Sequence, residues 1–123
     1  TLILDLQFNE KYFERVIHHE IFHLIKDSFP DLFDEKVWSK FNKKDFNYAD
    51  CSTCTDKLGL DIYNKTNGFL TEYSKTTSSE DMAEVYSFLI TEKKNIDKIK
   101  KIDPIIYNKV EFIESKITKI KNY

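Results

Sequence analysis

The chain has 123 residues, 41% of them hydrophobic and 15% aromatic, which is enough for one domain with a real core. Charged residues reach 33% but nearly cancel to a net charge of -2, with both signs interleaved, so the basic field of a nucleic-acid binder is excluded. Gly and Pro number only 2 each, which favours long helices over a turn-rich β fold. No apolar run approaches the roughly 18 residues of a membrane span, so no membrane insertion is expected. We read residues 1–123 as a single domain. Because it opens on Thr1 rather than Met, we expect it to be a processed product or a piece excised from a longer chain, which makes the lack of a signal-peptide pattern uninformative.

Leu2, Leu4, Leu6 and Phe8 alternate with Ile3, Asp5 and Gln7, a period-2 pattern that predicts a strand over 2–8. Asn9 is a fitting N-cap for a helix running to Asp27 or Ser28, where Pro30 stops it. Phe13, Ile17, Phe22, Leu24 and Ile25 are its expected buried side. Within it stands His19-Glu20-x-x-His23. Residues four apart share a helix face, so both imidazoles can reach one ion while Glu20 lies beside it. Buried histidines and a carboxylate in an apolar helix need a compensating partner, and a metal is one. His18 points about 100° away from His19 and reads as peripheral.

Phe33, Val37 and Phe41 recur at helical spacing and predict a short helix over 34–41, with Trp38 and Phe46 in the core. Residues 48–72 carry turn signals at Asp50, Gly59 and Asn67-Gly68, and a connection of that length is often functional. Cys51 and Cys54 are too few for a Cys₄ zinc site; a local disulfide or two idle thiols remain open. Thr77-x-x-Glu80 and Ser78-x-x-Asp81 both resemble capping boxes and start a helix near 79 that runs to about Lys94. Met82, Val85, Phe88 and Leu89 form its buried stripe, with Glu80 and Glu84 four apart beside it. Asp103-Pro104 opens the last helix, whose stripe is Ile106, Val110, Ile113, Ile117 and Ile120, with lysines on its solvated side.

A catalytic zinc takes three protein ligands and keeps a position for water. His19 and His23 supply two. Glu80 is the best-placed third because it starts a helix after a long loop. Glu84, one turn on, would then accept from the free ring nitrogen of a bound histidine; the reverse assignment stays open.

His19-Glu20-x-x-His23 followed by Glu80-Asp81-Met82-Ala83-Glu84-Val85-Tyr86 resembles the gluzincin metallopeptidases. Leu70-Thr71-x-Tyr73-x-x-Thr76-x-x-x-Glu80-x-x-Ala83-Glu84 is similar to the catalytic domains of anthrax lethal factor and Pro-Pro endopeptidase. The pattern, with the segment from Trp38 to Tyr48, also looks like the bacterial and fungal proteins termed putative zinc-binding metallopeptidases. The resemblance covers roughly residues 10–90. It implies an α+β, mainly helical, zincin-like core with an active-site helix, a glutamate-bearing second helix and a small or truncated N-terminal sheet. It implies one Zn²⁺ per chain on His19, His23 and Glu80, Glu20 as general base on a metal-activated water, and Tyr73 as an oxyanion donor. The expected activity is that of a zinc endopeptidase acting on a protein or peptide substrate, as a monomer. A secreted or cell-envelope location follows from the cysteine pair and the family. The alternative is an inactive zincin-like binding module that retains structural zinc.

Overall fold

The structure, a computed structural model, describes residues 10–49, 51 and 61–122. Among the described residues five helices succeed one another: α1 (Glu10–Ser28), α2 (Glu35–Ser39), α3 (Ser78–Thr91), α4 (Lys93–Ile102) and α5 (Pro104–Lys121), with a 3₁₀ turn at Tyr73–Lys75. The expectation of an α+β zincin-like core is corrected: the described residues form helices, turns and loops, and no strand or sheet. The apolar residues that drive burial within this part of the chain repeat at helical spacing, leaving nothing to build a ladder from. The segment expected as a strand, 2–8, lies outside the described residues, as does Asn9.

Helix α3 is the centre of the fold. It packs against α1, α2, the 3₁₀ turn, α4 and α5. Its residues Met82, Ala83, Val85 and Phe88 are fully buried, and each large one stabilises the fold by about 1.5–3 kcal/mol. The remaining core comes from Phe22, Phe33, Trp38, Leu70, Ile96, Ile106, Val110 and Ile113. Phe22 meets Phe33 edge to face at a centroid distance of 5.1 Å, tying α1 to the turn before α2.

Helix starts follow local chemistry. Asp34 caps α2 through Lys36 and Val37 N–H, and Thr77 caps α3 by accepting from Glu80 N–H at 3.1 Å. Asp103 caps α5 through Ile105 and Ile106 N–H, with Pro104 at the first helical position. The Asp103 carboxylate also accepts from Gly68 N–H at 2.7 Å and from the Thr66 hydroxyl, so the cap anchors the 66–68 turn. Gly68 sits at φ +93, and a Cβ there would meet the Ile105 side chain at 3.0 Å, so both backbone and space require glycine.

Three further expectations change. Phe13, Ile17 and Leu24 are exposed, at 44%, 41% and 68%, because among the described residues α1 packs on one side only. Among its described side chains only His19 and Phe22 are buried. The helix expected to reach Lys94 ends at Thr91, where Glu92 leaves the helical region at φ -135, and α4 follows as a separate amphipathic helix anchored by Ile96 and Ile99. Lys109, expected among the solvated lysines of the last helix, is fully buried.

Burial would raise the pKa of the Asp103 carboxyl, but its four donors outweigh it and hold the pKa below the ordinary value. Such a group adds stability above its unfolded pKa, and that contribution is lost as pH falls through the lowered folded value. Asp103→Ala should therefore cost about 2 kcal/mol at pH 7, for the cap and the orphaned donors. The gap between the two proteins in urea unfolding should narrow as pH falls below about 4.

Candidate metal centre

Three polar side chains of α1 and α3 converge in the cleft between the two helices. His19 and His23, one turn apart on α1, present both Nε2 atoms to the same point, 3.2 Å from each other. From the first turn of α3, Glu80 brings Oε1 to 2.5 Å from His23 Nε2 and 3.4 Å from His19 Nε2. The side chains are only 9%, 27% and 12% exposed for His19, His23 and Glu80, so water does little to separate them.

The other ends of these groups are also held. Glu84 Oε2 lies 3.0 Å from His19 Nδ1. An ionised carboxylate can only accept, so His19 carries its proton on Nδ1 and turns the Nε2 lone pair into the cleft. Thr71 donates to the other Glu84 oxygen at 2.8 Å and is itself in contact with Ser74 at 3.0 Å. Ser79 Oγ lies 3.4 Å from His23 Nδ1. The Tyr73 hydroxyl donates to Glu80 Oε2, and its ring lies 5.8 Å from that of His19.

Two ring nitrogens and a carboxylate oxygen that face one another need positive charge between them, a proton or a cation. Protons are one source. Burial works against protonating His19, but hydrogen bonding and charge from Glu80 and Glu84 prevail and raise its pKa to about 9. For Glu80, burial pulls upward, yet the two histidines lower it to about 2.

A metal is the other source, and the donor set fits one. The three atoms lie within 4.8 Å of one another. A tetrahedral zinc with bonds of about 2.0–2.1 Å keeps its ligand atoms about 3.3 Å apart. Two of the three separations match, and the His23–Glu80 pair is closer, as a charge-assisted hydrogen bond is.

Beside this cluster opens a cavity of about 240 Å³, lined by Tyr12, Arg15, Val16, His19, Glu20, Tyr73 and Glu84. Glu20 is exposed on this side of α1. The structure thus brings together His19, Glu20, His23, Tyr73, Glu80 and Glu84. It places Tyr73 against Glu80 rather than alone in the cavity. His18 turns away, half-buried, with its ring edge-on to Tyr86 at 6.4 Å. Cys51 is disulfide-bonded, and Cys54 lies outside the described residues. Sequence reasoning missed Thr71 and Ser79, which hold Glu84 and His23. Their signal was position: one precedes Tyr73 by two residues, the other precedes Glu80.

Comparison with curated proteins and with solved structures gives no match. The comparison with family profiles matches residues 4–123, nearly the whole chain, to the family described as "Putative zinc-binding metallo-peptidase". The buried His-His-Glu cluster beside a cavity is the kind of site that description calls for, and the chain belongs to this family.

Proposed function

We propose that the chain is a zinc-dependent endopeptidase of the gluzincin type, in which His19, His23 and Glu80 hold the metal and Glu20 is the general base. The observation that carries this reading is the convergence of His19 Nε2, His23 Nε2 and Glu80 Oε1 at the mouth of the cavity that Glu20 and Tyr73 line. A bound zinc supplies Lewis acidity, lowering the pKa of a water toward neutrality and polarising a carbonyl.

The chain's own groups do the rest. Glu84 keeps the proton of His19 on Nδ1, and Thr71 fixes Glu84, so His19 Nε2 stays an acceptor aimed into the cleft. Glu20 follows His19 in sequence and faces the cavity, where its carboxylate takes a proton from the attacking water and returns it to the leaving amine nitrogen. Tyr73, one of two tyrosines that line the cavity, is the hydroxyl donor beside the metal ligands, suited to negative charge developing on the substrate oxygen. Peptides or proteins are the substrate class. A secreted or cell-envelope setting belongs to the same proposal, supported by the disulfide at Cys51.

A second reading, an inactive module that keeps zinc for stability, draws on the Tyr73 hydroxyl, which is engaged with Glu80. Zinc-loaded protein that cleaves no member of a peptide library would establish it.

Glu20→Gln should lower peptide hydrolysis by about 10²–10⁴-fold while leaving one zinc per chain by atomic absorption. Full activity in that variant would sink the mechanism. Glu80→Ala should lose stoichiometric zinc, and if it keeps the metal the third ligand moves to Glu84. In Tyr73→Phe, kcat should fall more than KM rises, since a contact made in the transition state is lost. An unchanged kcat with weakened zinc binding would instead give the hydroxyl a role on Glu80 alone.

A further inference from the structure

Glu80 faces the cleft, and the next residue, Asp81, points the other way into the core, where it is fully buried. Three donors from three separate segments meet on its Oδ2: Lys109 Nζ of α5 at 2.8 Å, Trp38 Nε1 of α2 at 3.1 Å and Tyr48 Oη of the following loop at 2.7 Å. Tyr48 is held in turn by Asn42 Nδ2 at 2.9 Å. Lys109 is also fully buried, donates to Gly68 O at 2.7 Å and lies 4.0 Å from the centroid of the Phe69 ring.

Burying two charges costs several kcal/mol each, and well-packed apolar residues of the same volume often give an equally stable fold. The arrangement is not even saturated: Asp81 Oδ1 is buried with no hydrogen-bond partner among the described residues. Stability alone is a poor account of it. What an apolar pair could not do is fix direction. Three hydrogen bonds on one oxygen set the rotation of α3 about its axis at the turn that carries Glu80. Through Gly68 O, the same lysine ties that turn to the segment that goes on to Thr71 and Tyr73, which hold Glu84 and Glu80.

We propose that Asp81 and Lys109, with Trp38 and Tyr48, are positioning residues for the metal centre. They hold the first turn of α3 and the 66–73 segment in the one register that aims Glu80 at His19 and His23. The inference rests on the reading that these three residues bind a metal.

The test measures the dissociation constant for zinc alone, by competition with a chelator of known affinity, in the full chain and its variants, with circular dichroism and thermal unfolding alongside. Asp81→Asn/Lys109→Met removes both charges at nearly constant volume. It should fold and bind zinc at least tenfold more weakly, as loss of a supporting partner of a metal ligand typically does. The visible spectrum of the cobalt-substituted form should shift as well. Ile113→Ala, a destabilised control in the core of α5, should keep native affinity wherever it is folded. A loss of less than tenfold in the double variant, or an equal loss in the control, overturns the proposal. If the double variant does not fold, Tyr48→Phe decides in its place: severalfold weaker binding supports the role and native affinity overturns it. Absence of zinc binding by the native chain would instead overturn the metal reading on which the inference stands.

Discussion

Three lone-pair atoms aimed at one point are the constraint on which the rest of this structure depends. His19 Nε2, His23 Nε2 and Glu80 Oε1 sit 2.5–3.4 Å apart in a cleft largely closed to water. Left without positive charge, that cluster would repel itself open. The fold therefore has to do two things at once: bring the groups together and keep their back ends from collapsing onto alternative partners. Glu84, Thr71 and Ser79 perform the second task, each occupying a ring nitrogen or a carboxylate oxygen away from the cleft. Protons and metal compete for the same three atoms, so filling the site with a metal must release protons.

Helix α3 explains how a small chain manages this. Its 3.6-residue period sends Glu80 and Glu84 to the α1 side, Asp81 to the polar core, and Met82, Val85 and Phe88 into the apolar core. One helix thus carries a candidate ligand, the acid that orients a second ligand, and an anchor that fixes its own rotation. The Thr77 cap sets where this helix begins, and hence which of its acids falls on which face.

Those features were readable in sequence in proportion to how local they are. The two histidines and Glu20 share one helical turn, and Glu80 stands three residues after its capping threonine, so spacing alone suffices. The start of α5 was equally plain, because Asp103-Pro104 has one natural role. The break at Glu92 was not legible, since neither glycine nor proline marks it and the isoleucines of α4 continue a helical rhythm. The outward Phe13, Ile17 and Leu24 could not be told from core residues, because burial depends on what a helix face meets and not on its own composition. Lys109 looks like every other lysine of α5 until Asp81 arrives from 28 residues away. The N-terminal alternation pointed to a sheet, and the described residues contain none.

Among the described residues α1 buries one face only, which gives the candidate metal centre a second consequence. Among the described side chains of α1, only His19 and Phe22 are buried, and both face α3 or the turn before α2. Arg15 adds an ion pair to Glu92 at 3.9 Å, a distance worth little in stability. A cation held jointly by His19, His23 and Glu80 would cross-link α1 to α3, the most deeply packed helix. Its binding free energy adds to the docking of α1 as directly as to the site itself. The chemistry and the architecture thus share one contact. The helix that presents Glu20 to the cavity docks on α3 through Phe22 and through the histidines on either side of that glutamate.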